Sequence, residues 1–399
     1  MADFQIVAAV LFVIALAIFV YIKRKNLETK QVIPYFIYFS MYKTKLGLSL
    51  MDSISKKYRK IVMSLGYFGI LVGFIGMAII CYALINNLYT LFTEPEATSG
   101  VGLVLPFKGK GIFYVPFFYW IISIFVIAVV HEFSHGLIAR AHNLKVKSSG
   151  FAFLAIVIPV IPAAFVEPDE KALRKRPHKE QLSVFAAGPL ANIVTAFFCL
   201  AILYYAFTPM VNAIVEPNWI KISDYVEGGQ KFPAESSGMQ IGELIQQVDD
   251  YPTPYVENLS LVLKNKKPDD VVTIKTDKSS YRIKLAKNPE NESSAFLGAY
   301  LEQGTKINEG IKSSYGEFLP NALLWMSGLF VILFILNLGI GLFNLVPLGP
   351  LDGGRMMQLA LHKLLDVDRG NRVWNFIGLV FFLIILINLA AGFGLFKIF

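Results

Sequence analysis

The chain has 399 residues, 55% of them hydrophobic and only 17% charged, with a mean hydropathy of +0.54. Soluble domains carry about a quarter charged residues, and several apolar runs here reach the roughly 18 to 20 residues that cross about 30 Å of hydrocarbon as a helix. One large soluble core is therefore excluded, and the net charge of +8 does not point to nucleic acid, because Lys and Arg collect in short segments beside the apolar runs, a pattern that orients membrane proteins.

The first apolar run, Phe4 to Ile22, has no basic segment before it and no small-residue cleavage site after it, so it reads as a retained anchor. Lys23, Arg24 and Lys25 follow at once and place the N-terminus outside and the next loop in the cytoplasm. Further spans are expected near Ile61 to Phe92, Tyr114 to Ala139, Leu182 to Phe207, Leu319 to Val346 and Val373 to Ile398, six in all. The loops Lys23 to Lys60, Arg140 to Glu180 and Pro350 to Arg372 then lie inside, and they hold 22 of the 37 basic residues. Cys81 and Cys199 each sit inside an apolar run and read as buried packing residues.

Two segments do not fit simple spans. Val32 to Met51 is aromatic and interrupted by Pro34 and Gly47; Gly150 to Val166 is apolar but contains Pro159 and Pro162. The second, rich in β-branched residues and flanked by basic loops, reads as a re-entrant or interfacial extended segment covered by protein rather than lipid, with a broken helix as the alternative.

Residues 211–314 form the one long polar region, placed outside by the topology and large enough for an independent domain. Leu244 to Val248 predicts a strand, Val256 to Leu263 a short helix, and Val271 to Thr276 with Tyr281 to Leu285 a hairpin, which together describe a small α+β module. The stretch Pro233-Ala234-Glu235-Ser236-Ser237-Gly238-Met239, then Gly242-Glu243-Leu244-Ile245, resembles the signature of PDZ domains. That resemblance implies a module that adds an extended peptide or C-terminus to a sheet edge; a spacer without a ligand is the alternative.

The run ending at Val130 leads into His131-Glu132-Phe133-Ser134-His135. In this HExxH spacing both imidazoles share one helix face and can grip one zinc ion, with Glu132 as the general base that activates water for attack on a peptide carbonyl. Ionisable residues in a membrane helix are costly and by default functional, against a structural polar cluster as the bland reading. A third ligand is still needed. Far along the chain another apolar run ends in Asn344-Leu345-Val346-Pro347-Leu348-Gly349-Pro350-Leu351-Asp352-Gly353-Gly354-Arg355, which brings Asp352 to the same membrane depth. Read alone, Asp352-Gly353 is a helix-ending turn; beside HExxH, Asp352 is the candidate third ligand.

Together these motifs resemble the site-2 protease family of intramembrane zinc metalloproteases, whose second hallmark is matched by Asn344, Pro347, Leu351, Asp352 and Gly353. Phe165-Val166-Glu167-Pro168-Asp169-Glu170 and Ala186-Ala187-Gly188-Pro189-Leu190-Ala191-Asn192 add to the likeness with archaeal and eukaryote-like members. The resemblance implies one Zn2+ held by His131, His135 and Asp352, Glu132 as base, and Asn192 contacting the substrate backbone or oxyanion, a role that an uncharged amide in a water-poor site suits. Pro162-Ala163-Ala164 departs from the family's Pro-Gly-Ala turn.

The expected architecture is a polytopic helical membrane protein of about six transmembrane helices, with a re-entrant β segment and one inserted PDZ-like domain. Residues 1–110 would supply anchor helices and interfacial segments, 111–210 and 315–399 the two parts of the catalytic membrane core, and 211–314 the outer domain. The expected substrates are transmembrane proteins, unwound near the cytoplasmic side of a prokaryotic, archaeal-type plasma membrane and paired as a strand with Gly150 to Val166. A zinc transporter, which needs no general base, and a silent scaffold for the PDZ-like module are the competing readings. His142, His178 and His362 are expected to be solvated loop residues.

Overall fold

The computed structural model describes residues 2–33, 37–94, 97–156, 158–226, 231–289 and 291–395. Pro34, Tyr35 and the residue after it, within the aromatic segment singled out above, lie outside them. By internal contacts the chain divides into Met1–Leu203 with Gly328–Phe399, and Tyr204–Ser327.

The first unit opens with helix α1 (Ala2–Lys23), the hairpin β1 (Leu27–Ile33) and β2 (Ile37–Thr44), the short helix α2 (Leu48–Lys57) and the long helix α3 (Arg59–Thr93). A parallel pair, β3 (Leu103–Leu105) and β4 (Ile112–Tyr114), precedes α4 (Phe117–Ala141). Strands β5 (Val146–Ile156) and β6 (Ile158–Pro168), a single turn α5 (Glu170–Leu173) and α6 (His178–Ile202) follow; past Leu203 the helix continues through Leu203–Phe207 into α7 (Thr208–Ile214), which belongs to the second unit. The chain closes with α11 (Phe318–Phe343), which starts within the second unit, and then α12 (Asp352–Leu364) and α13 (Val367–Gly392) of the first. Among the described residues six helices are long and apolar enough to cross a membrane: Phe4–Asn26, Arg59–Thr93, Phe117–Ala141, His178–Ile214, Phe318–Phe343 and Val367–Gly392. Their apolar faces are exposed in the isolated chain, as lipid-facing helices require.

Within the stretch from Gly150 to Val166, β5 and β6 form an antiparallel hairpin, and the four strands run in the order β1-β2-β5-β6. Prolines 159 and 162 sit in β6 at the sheet's edge, where a missing N–H costs no ladder bond. Helix α3 carries Gly66, Gly69, Gly73 and Gly76 on one side, against Ile138, Leu190, Met356 and Leu345 respectively. This stripe of small residues lets α4, α6 and the α12 region approach its backbone closely. Helix α4 ends where Asn143 turns left-handed at φ 57°, with the Leu144 N–H closing back on the Ala139 carbonyl.

The second unit is built on strands β7 (Val215–Tyr225), β8 (Leu244–Val248), β9 (Tyr251–Pro252), β10 (Val271–Thr276), β11 (Ser280–Lys284), β12 (Ala286–Lys287), β13 (Ala295–Phe296) and β14 (Ala299–Ile307). Helices α8 (Pro233–Ser236), α9 (Val256–Lys264) and α10 (Glu309–Tyr315) accompany them. The main sheet runs β11-β10-β8-β7-β14, with β9 beside β8. The predicted strand at 244–248, helix at 256–263 and hairpin at 271–285 are all present; the long pair β7 and β14 was not foreseen. Ile220, Ile222, Ile245, Val272, Ile274 and Ile283 centre its core. The buried Glu243 accepts hydrogen bonds from Thr276 Oγ1 at 2.8 Å and Tyr281 O–H at 2.9 Å, which satisfy a charge that would otherwise be costly to bury.

Candidate active site

Three residues from three places in the chain converge. His131 and His135 lie one turn apart on α4, and Asp352 is the first residue of α12, so the Asp352-Gly353 pair starts a helix rather than ending one. His131 Nε2 is 3.1 Å from His135 Nε2 and 3.1 Å from Asp352 Oδ2, and His135 Nε2 is 3.3 Å from that oxygen. Their side chains are 12 to 14% exposed. Donors at about 2.0 to 2.1 Å from a tetrahedral ion lie roughly 3.3 to 3.4 Å apart, so this triangle has the size of three ligands around one zinc ion.

The neighbours of the rings fit a metal as well. His135 Nδ1–H donates to the Val184 carbonyl on α6 at 2.7 Å, a tautomer that leaves a lone pair on Nε2 facing the site. The Asn192 amide, 0% exposed, lies against His131 Nδ1, with Nδ2 at 3.2 Å and Oδ1 buried without a partner. A metal on Nε2 requires the proton on Nδ1, and turning the amide over gives that proton its acceptor. Gly188 supplies the room: a Cβ there would lie 2.5 Å from His131 Nε2 and would strike His135 Nε2 too. Pro189 interrupts the hydrogen-bond ladder of α6 in the turn that carries Val184 and Gly188.

The loop from Asn344 to Leu351 delivers Asp352 by folding tightly on itself. The Asn344 carbonyl accepts from the Gly353 N–H at 2.8 Å, and a Cβ at Gly353 or Gly354 would run into the carbonyls of Leu345 and Leu348. The paired glycines are thus a steric condition for placing the carboxylate.

Glu132 projects into a cavity of about 680 Å³ that also exposes His131, His135 and Asp352 and is walled by Phe165 and Val166 of β6. The Val166 N–H donates to Glu132 Oε2 at 2.9 Å. Glu167 is tied to β5 by the Ser148 hydroxyl at 2.7 Å and to β2 by Lys43 at 3.1 Å, and these partners hold its carboxyl below the usual carboxylate range. Asp169 caps α5 through the Ala172 N–H, and Glu170 faces Arg355 of α12 at 3.8 Å beside the cavity. The segment from Glu167 to Glu170 therefore anchors the cavity wall. Val184, Gly188 and Val166 act through backbone, which single-sequence reading does not assign.

Three expectations about single residues need correction. His142 is not solvated: it is 3% exposed, with Nε2 2.9 Å from Ser183 Oγ, because α6 covers the end of α4. His362 lies on α12 and bonds Asn371 Oδ1 at 2.8 Å rather than standing in a loop, whereas His178 is exposed at the start of α6. Cys199 is buried, but Cys81 is only half-buried.

Membrane-length helices with a two-histidine, one-carboxylate site and an adjacent glutamate define a membrane-bound metallopeptidase. A family model for peptidase family M50 matches residues 119–386, more than half of the chain, and the chain belongs to that family, the site-2 protease family. It is 25% identical to an uncharacterized protein of Methanocaldococcus jannaschii over 85% of this chain and 82% of that one. It is 23% identical to the zinc metalloprotease RasP of Shouchella clausii over 51% of this chain and 57% of that one. A putative zinc metalloprotease of Clostridium acetobutylicum is 20% identical over 67% and 94%. Among solved structures, the PDZ domain of an SdrC-like protein of Listeria monocytogenes matches 24% of this chain and 90% of its own, at 17% identity and a TM-score of 0.17; the architecture of the second unit rests on its own strand order.

Proposed function

We propose that this metalloprotease is a zinc-dependent intramembrane endopeptidase that hydrolyses peptide bonds in the transmembrane segments of other proteins. The observation that carries the reading is the 3.1, 3.1 and 3.3 Å triangle of His131, His135 and Asp352 in a cavity shared with Glu132. Zinc bound there supplies Lewis-acid chemistry, polarising a carbonyl and acidifying water.

The chain's own groups do the rest. Glu132 takes a proton from the attacking water and passes it to the leaving amine, its carboxylate fixed by the Val166 N–H. Val184 and Asn192 orient the two imidazoles. The placement of Asn192 behind His131 favours this positioning role over the substrate or oxyanion contact that the family resemblance implies. A peptide bond in a membrane helix is shielded because its carbonyl is already bonded, so the substrate unwinds locally and lies along the β6 edge as an added strand. Basic loops favour a cytoplasmic site in a prokaryotic, archaeal-type plasma membrane, with the second unit outside as a PDZ-like binder of peptides or shortened substrate ends.

The test is to map, by mass spectrometry, the bond cut in single-span substrates by purified protein. Cuts inside the apolar segment support the reading; cuts confined to flanking soluble sequence contradict it.

A further inference from the structure

Away from the active site, α2, the first turn of α3 and the end of α4 enclose a recess of about 370 Å³ lined by Lys56, Arg59, Arg140 and Lys145, with Asp52 as its acid. Asp52 is engaged: its Oδ1 is 3.2 Å from Arg140 Nε, and Arg140 also donates to the Val146 carbonyl. Arg59 donates through Nε to the Ala141 carbonyl at 2.9 Å, which holds its guanidinium at the rim. Lys56 and Lys145 are exposed and, among the described residues, have no carboxylate partner. Four cations against one paired acid leave a net charge of +3 in a concave site, an arrangement that draws anions to it.

The surroundings specify the anion. The recess sits at matching ends of two spans, Arg59–Thr93 and Phe117–Ala141. Beside it Leu46, just before α2, is 67% exposed and Leu50 of α2 is 54% exposed, and the start of α3 exposes Ile61 and Leu65. Cations gathered at the ends of two spans, with exposed leucine and isoleucine side chains beside them, suit the level of lipid headgroups, the apolar side chains lying against acyl chains. We propose that this recess binds the phosphate of an anionic phospholipid headgroup, which would clamp α2 and α3 to the helix that carries His131 and His135. Basic pockets between membrane helices are recognised sites of this kind, and the inference does not depend on the proposed proteolysis.

The test is to reconstitute the full chain in bilayer nanodiscs of phosphatidylcholine with a minor fraction of phosphatidylglycerol and measure which lipid is retained on extraction. Wild type should retain phosphatidylglycerol preferentially. The Lys56→Gln, Lys145→Gln double variant, which removes two cations that have no carboxylate partner among the described residues, should keep its thermal midpoint and lose about an order of magnitude of that preference. Equal retention of both lipids by wild type, or an undiminished preference in the double variant, overturns the proposal. Retention of inorganic phosphate in lipid-free detergent without any lipid preference overturns the lipid source in favour of a free anion.

Discussion

Val166 and Glu132 meet across 34 positions of sequence: the valine's backbone N–H donates to the glutamate's Oε2 at 2.9 Å. The sheet edge that forms the cavity wall therefore also sets the direction of the carboxylate. Proline at position 166 is compatible with an extended strand and deletes the donor, at the cost of the valine side chain packed beside Gly136. Val166→Pro should lower turnover by roughly ten- to a hundredfold, in line with lost partners of site residues, with zinc content unchanged. Steady-state kinetics with metal analysis checks this, and unaltered turnover would show that the hydrogen bond does not position the base.

Asn192 offers a way to separate two roles. As the acceptor for His131 Nδ1–H it acts on the metal, so Asn192→Ala should weaken zinc affinity about ten- to a hundredfold. A residue that only steadied an oxyanion would leave zinc affinity untouched and lower turnover alone. Competition against a zinc-binding dye distinguishes the two.

Gly188 is read as a steric condition. In Gly188→Ala the new methyl would fall on both Nε2 atoms, so zinc stoichiometry should drop well below one per chain, without loss of helical signal. Full zinc occupancy in this variant would mean that the rings swing clear at little cost.

The buried His142 gives a pH dependence. Burial depresses its pKa below the ordinary value of 6.5, with Arg176 and Arg59 adding to the effect and Glu180 opposing it. The unfolded state then binds more protons than the folded one just below pH 6.5, so stability falls as pH drops from the unfolded pKa through the folded one. His142→Gln, which can still reach Ser183, should flatten the fall in thermal midpoint below pH 6.5 relative to wild type. Parallel pH profiles for the two proteins would refute this assignment.

Much of this was legible in sequence because it depends on local period and spacing. The run from Tyr114 to Ala139 is long enough to span, and His131 and His135 must share a face at that spacing, whatever surrounds them. Asp352 could be paired with them because both apolar runs end at the same depth. What was not legible depends on distant pairing. Nothing near Thr44 announces that β2 will lie along β5, yet its hydroxyl bonds the Ser149 carbonyl 105 residues away. His142 looked solvated because it follows a helix and precedes a basic loop; only α6 lying across it makes it buried. Nor does the glycine stripe of α3 say, from sequence alone, which helices it admits.

The most direct test of the central claim compares wild type, Glu132→Gln and Asp352→Ala on single-span substrates, with zinc bound per chain measured on the same samples. The account predicts cleavage by wild type alone, zinc retained in Glu132→Gln and lost in Asp352→Ala. Equal zinc in all three proteins with no cleavage by any would contradict it.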